Sequence, residues 1–164
     1  MNDLVDSLPV KRVRHVLAAK QVKELLHELP ADARSAREAA RALGVELGAV
    51  AKTLVYEIGL DPVMVVIAGD RRCNEAKLAE LFAREGEVRR CDAARVEELT
   101  GFPVGGVAPV GSLTPMPVLV DQSLARFPRI YAGGGHPRVL MELSFDDLLF
   151  LTGAKPSEEV AITG

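Results

Sequence analysis

The pattern of apolar and polar positions predicts a chain of alternating helices and strands. Apolar Val10, Val13, Val16 and Leu17 recur at helical spacing, with Pro9 in the first turn, and predict a helix over residues 9–19. Residues 22–29 fit either a continuation of that helix or a strand; the strand is favoured because Pro30 follows. Ser35 and Glu38 form an S-x-x-E capping box ahead of Ala36, Ala39, Ala40 and Leu43, and Gly44 marks the stop. Residues 53–58 and 63–68 read as two strands joined by a turn containing Gly59, Asp61 and Pro62. Three further helices are expected. Asn74 opens one carrying Leu78, Leu81 and Phe82 and ending near Gly86. Asp92 opens another, with Val96 and Leu99, ending at Gly101. Ser144, with Asp147, opens the last over Leu148, Leu149 and Leu151, ending at Gly153. Strands are expected at residues 118–121, 129–132 and 139–143. There is no strict strand–helix–strand rhythm, so the pattern predicts an α/β domain with a mixed, partly curled sheet and helices packed outside.

The bulk numbers narrow this picture. A chain of 164 residues, 48% hydrophobic and 26% charged, fits one soluble domain with its own core. Aromatics are 4% and Trp is absent, so gripping nucleic acid mainly by base stacking is not expected. The net charge of -3 argues against a protein that coats long nucleic acid. A local basic rim on the tip of an RNA remains open, from Lys11, Arg12, Arg14 and Lys20, from Arg71 and Arg72, or from Arg89 and Arg90; each cluster equally reads as solvated surface. Cys73 and Cys91 lack metal-ligand spacing and read as reduced thiols, and no metal is expected. No apolar stretch suits a secretory signal or a membrane span, so a cytoplasmic location is expected, without membrane partners.

Two glycine-rich segments are not required by any helix: Gly105–Gly111 and Gly133–Pro137. Such segments bring main-chain N–H groups close to a carbonyl, an oxyanion or a phosphate, or they are ordinary tight turns. Neither has the spacing of a P-loop or a dinucleotide fingerprint. Lys52 stands at the mouth of an apolar strand, either as a functional cation or as a lysine reaching to water. His136 is the one histidine in a glycine-rich setting, and Asp121 ends an apolar strand. A Cys73–His136 pair has nothing around it that marks a nucleophile, and no GxSxG elbow is present.

The runs Arg34–Gly44 and Val50–Val55, then Ala68–Arg72, Glu98–Gly111, Val118–Leu124 and Leu148–Gly153, resemble the YbaK/ProX aminoacyl-tRNA editing family. The resemblance spans about residues 34–153. It implies a single α/β domain over residues 1–164, with a mixed, barrel-like sheet and surrounding helices. It also implies hydrolysis of mischarged tRNA, often tRNA for proline carrying Cys, Ala or a similar small amino acid. No cofactor is implied, and DNA is not a partner. The partners implied are the tRNA acceptor end and, as a further candidate, prolyl-tRNA synthetase. Members occur alone or inserted in prolyl-tRNA synthetase, and this chain is expected to be of the separate kind. Thr53 after Lys52 resembles the YbaK-like branch; the alanine-specific branch tends to carry Asn there.

On the family's pattern Lys52 is the key lysine, holding the terminal phosphate or ribose. Gly105, Gly106, Val107, Ala108 and Pro109 form the GxxxP substrate loop, with the Gly105 and Gly106 N–H groups facing the oxyanion. Gly134, Gly135 and His136 line the same pocket, His136 to orient the ribose or relay a proton. Thr53 and Asp121 complete the expected substrate contacts, and Val50 or Phe102 with Val107 and Ala108 the pocket wall. The alternative reading is a non-catalytic module that binds a tRNA end or a synthetase; a third is a hydrolase of some other small ester.

Overall fold

The computed structural model describes residues 4–164. The chain runs through α1 (Leu8–Ala19), β1 (Leu26–Glu28), α2 (Ala36–Leu43), β2 (Ala51–Ile58), β3 (Asp61–Ala68), β4 (Arg71–Cys73), α3 (Leu78–Leu81) and β5 (Val88–Arg90). It continues through α4 (Ala93–Thr100), β6 (Val118–Asp121), β7 (Ile130–His136), β8 (Val139–Leu143), α5 (Phe145–Thr152), β9 (Lys155–Ser157) and β10 (Ala161–Thr163).

The capping residues act as expected in three helices. The side chains of Ser35, Asp92 and Ser144 accept hydrogen bonds from the main-chain N–H groups of Glu38, Arg95 and Asp147. Gly44, Gly101 and Gly153 end those helices in the left-handed conformation. The helix expected after Asn74 is different. Residues 75–77 form a 3-10 turn, α3 is one turn long, and Ala83 takes a positive φ of 53° that ends it before Gly86. The Asn74 side chain does not cap; it donates to the carbonyl of Glu159.

A five-stranded sheet in the order β5-β2-β3-β6-β9 forms the centre, with a three-stranded sheet β1-β8-β7 and a two-stranded sheet β10-β4 beside it. The β2–β3 hairpin pairs from Ala51↔Ala68 to Ile58↔Asp61, so its turn is Gly59-Leu60, and Asp61 and Pro62 belong to β3. The β3 side chains are buried on both faces of the sheet. Val66 and Ala68 join one cluster with Val13 and Leu17 of α1, Leu148 and Leu151 of α5, and Ile130 and Met141 of β7 and β8. Val63, Val65 and Ile67 join another with Tyr56, Leu78, Phe82 and Val160. The segment from residue 22 contributes only the three-residue β1. The sheet is mixed, because β6 and β9 run parallel to their neighbours while β5, β2 and β3 alternate. No helix among the described residues is long and apolar enough to cross a membrane.

Candidate functional site

One edge of β2 pairs with β3 along its whole length. The other edge is shared. At one end β5 pairs at residues 56–58, and the N–H of Cys91 donates to the carbonyl of Val55 at 3.1 Å. At the other end Val50 bridges Tyr131 of β7. Between these contacts β5 and β7 part, and a cavity of about 400 Å3 opens over residues 51–55. That is ample for a small ligand.

Alternation along an antiparallel strand sends the N–H and C=O of every second residue to the same edge. Val55 meets Cys91 there, so Thr53 turns its main-chain polar groups into the opening, where no strand pairs with it. The Thr53 hydroxyl is also buried and has no hydrogen-bond partner among the described residues. Buried polar groups are almost always paired, so an orphaned hydroxyl beside an unpaired strand edge is a candidate contact for a ligand.

Lys52 lines the same cavity, and its Nζ donates to the carbonyl of Arg71 at 2.6 Å. Burial, and then the neighbouring Arg90 guanidinium, hold its pKa below the ordinary lysine value. Across the cavity stands a turn in which the N–H of Gly106 donates to the carbonyl of Pro103, with Gly105 at a φ of 80°. Gly at the third position of such a turn has the conformation a side chain resists. Among the described residues the N–H groups of Gly105 and Val107 make no hydrogen bond. Gly133 of β7 lies against this segment: a Cβ there would sit 2.0 Å from the carbonyl oxygen of Val107. No group of three His, Cys, Asp or Glu side chains among the described residues is placed to hold a metal.

Of the residues expected from sequence, Lys52, Thr53, Gly105 and Val107 line the cavity, as does Val50. The others lie outside its lining. Gly106 spends its N–H on the turn and packs on the main chain of His136, which a Cβ would approach to 2.7 Å. Ala108 and Pro109 are buried, and Phe102 is wholly in the core beneath the Arg12 guanidinium. The second glycine run is not a loop: residues 133–136 belong to strand β7, and only the run's ends, Gly133 and Pro137, line the cavity. Gly134 packs on Val139, and Gly135 packs on the start of α1 at Pro9. His136 Nδ1 accepts from the N–H of Arg138 and closes the β7–β8 turn. Asp121 is buried and accepts from the N–H of Ala68 at 3.0 Å, the N–H of Ser123 at 2.9 Å and the Ser123 hydroxyl at 2.7 Å. It fastens the end of β3 to β6.

Arg34, Arg90, Cys91, Gly133 and Pro137 also line the cavity. Sequence reasoning gave Arg34 and Cys91 no place in the site, named Arg90 only within one of several candidate basic rims, and named Gly133 and Pro137 only as the ends of the second glycine run. Their places depend on where β5 and the lead into α2 meet β2, which local pattern does not encode. Cys91 makes no nucleophile: burial, and then the Glu57 carboxylate, push its thiol up to about 11. Cys73 sits in the other cluster beside Tyr56, where burial raises its thiol pKa too.

The chain is similar to several known proteins. A proline–tRNA ligase of Sulfurihydrogenibium sp. (strain YO3AOP1) is 37% identical over 120 residues, 73% of this chain, and the chain spans about a fifth of that ligase's length, 21%. The uncharacterized protein YwhH of Bacillus subtilis (strain 168) is 30% identical over 122 residues, covering 74% of this chain and 76% of YwhH. A solved structure, provisionally assigned as a trans-editing enzyme for prolyl tRNA synthetase, superposes with a TM-score of 0.86 at 37% identity, covering 93% of this chain and 96% of that one. The family model for the aminoacyl-tRNA editing domain matches residues 30–151, a span that holds every residue of the cleft except Leu29, and the chain belongs to that family.

Proposed function

We propose that the chain is an aminoacyl-tRNA deacylase that clears a wrongly attached small amino acid, such as Cys or Ala, from tRNA for proline. The observation that carries this reading is the convergence of Lys52, the orphaned Thr53 edge and the free N–H groups of Gly105 and Val107 on one cavity. The similarity to a proline–tRNA ligase and to a structure assigned to prolyl trans-editing supports the choice of tRNA.

The substrate ester is already activated, so the protein has to position it, place a water and stabilise the tetrahedral oxyanion. Water adds to the carbonyl carbon, the negative charge on the carbonyl oxygen meets the N–H groups of Gly105 and Val107, and the ribose oxygen leaves with a proton. The products are the free amino acid and intact tRNA. The Thr53 hydroxyl and the main-chain groups beside it suit the amino group or the attacking water, and Lys52 suits the ribose–phosphate. The aminoacyl side chain then faces the apolar wall of Leu29, Ala39, Val55, Val96 and Leu140. Such a wall discriminates by size, at roughly 1–3 kcal/mol per methylene.

The test is a panel of Pro-, Ala-, Ser- and Cys-charged tRNA for proline. Hydrolysis of at least one mischarged species, spared Pro-tRNA and at least a hundredfold loss in Lys52→Ala are expected. Tight binding with no turnover of any species overturns the deacylase reading.

A further inference from the structure

Asp and Glu outnumber Lys and Arg by 23 to 20 in this chain. The cleft inverts that balance: Arg34, Lys52 and Arg90 line it, and no carboxylate does. Lys52 is held by the Arg71 carbonyl. Among the described residues no hydrogen bond or ion pair engages the guanidinium of either arginine. Arg12 is tied to the carbonyls of Gly111 and Thr100, Arg95 to Glu57, Arg126 to Asp70, and Arg129 to Glu142. Arg37, Arg41 and Arg72 are unpaired too among the described residues, but they lie outside the cleft; what sets Arg34 and Arg90 apart is that their free guanidiniums line it.

The pair also comes from two different walls. Arg34 belongs to the lead into α2, whose neighbours Ala33 and Ala36 pack with Leu140 of β8. Arg90 ends β5, on the far side of the β2 opening. Three cations around one opening repel one another, and Arg90 already disfavours the charged form of Lys52. Such a cluster focuses a positive potential on the mouth of a cavity in a protein of opposite net charge. Planar guanidiniums match phosphate oxygens with paired N–H donors. The inner walls are apolar, so the anion belongs at the mouth rather than in the pocket for the aminoacyl side chain.

We propose that Arg34 and Arg90 clamp phosphates of the RNA's 3′-terminal nucleotides from opposite sides of the cleft mouth, and thereby select an ester carried by RNA over the same ester on a free nucleoside. This rests on the deacylase reading above and adds the part of the substrate that the cleft grips.

The experiment compares wild type with Arg34→Ala, Arg90→Ala, the double variant and both Arg→Lys variants. Binding is measured with aminoacyl-tRNA whose ester is replaced by an amide, across a salt series. Hydrolysis is measured on aminoacyl-tRNA, on the aminoacyl ester of the dinucleotide CpA, and on aminoacyl-adenosine, which carries no phosphate. Each alanine variant is expected to weaken tRNA binding about tenfold and to lower the slope of log affinity against log salt by about 0.7. The lysine variants retain most of the slope. The wild-type preference for the CpA ester over the adenosine ester shrinks in the double variant, because turnover of the CpA ester falls by more than turnover of aminoacyl-adenosine. The amide is not hydrolysed, so binding reports on the clamp even if deacylation is absent. An unchanged salt slope overturns the proposal. So does an equal loss on aminoacyl-adenosine, which assigns the arginines to the aminoacyl group instead.

Discussion

At the scale of single residues, Thr53 and Asp121 show two opposite fates of a buried polar side chain. Every oxygen of Asp121 is satisfied from within, whereas the Thr53 hydroxyl finds no partner among the described residues. Thr53→Val is therefore expected to keep the melting temperature or raise it slightly, while kcat/KM for mischarged tRNA drops about tenfold or more. Asp121→Ala is expected to do the reverse. It orphans the N–H of Ala68 and costs about 2–3 kcal/mol, or about 4–12 °C in Tm for a chain of this size, with the surviving folded protein still active. Thermal melts and steady-state kinetics on the same preparations separate the two. Lys52 gives a pH signature. A lysine is charged below its pKa, and here burial and Arg90 lower that pKa. Activity that needs the ammonium should thus fall on the alkaline side before the ordinary lysine range is reached. Arg90→Ala should move that limb upward, which NMR titration of the Lys52 side chain reads directly.

At the scale of elements, the decisive contact is the passage of β7 beneath the Gly105–Pro109 segment. Gly133→Ala places a methyl group against the Val107 carbonyl, so strand or loop must shift. A loss of about 1–3 kcal/mol is expected from such overpacking, together with at least a tenfold drop in deacylation. Gly44→Ala is the control. Nothing lies within 4 Å of the added Cβ, and the φ of 71° alone costs about 1 kcal/mol, so stability falls while kcat/KM holds. The same contact explains how far the sequence could be read. α2, α4 and α5 were legible because their caps and stops are local chemistry, written within a dozen residues. β4, β5, β9 and β10 were not, because three-residue strands such as Arg71-Arg72-Cys73 carry no alternation and exist only through their partners. The glycines of β7 looked like a loop because a strand that another segment crosses closely needs the same missing side chain as a turn. The cleft was legible in part: Lys52, Thr53, Gly105 and Val107 sit in it, while Arg34 and Arg90 arrive from elements whose pairing no local pattern announces.

At the scale of the whole molecule, the parts far from the cleft still reach it. β10 pairs with β4, Ala161 opposite Cys73 and Thr163 opposite Arg71, and Val160 is buried in the cluster behind β2. β4 in turn offers the Arg71 carbonyl that holds Lys52. A chain ended at Ser157 is expected to melt lower and to lose deacylation. Val160→Ala, which leaves β10 in place, should lower Tm through about 1–3 kcal/mol of lost burial with kcat/KM nearly intact. Equal activity losses in both would place the coupling in the core rather than in the strand pair. The parting of β5 and β7 has a wider consequence for how such a protein changes over generations. On the proposed function, part of the surface offered to the ester is peptide backbone, at Thr53, Gly105 and Val107, and backbone is present whatever residue a codon specifies. Drift in Leu29, Ala39 or Val96 can therefore retune which amino acid fits while that backbone part of the hydrolytic apparatus persists, so new preferences lie within a few substitutions of old ones.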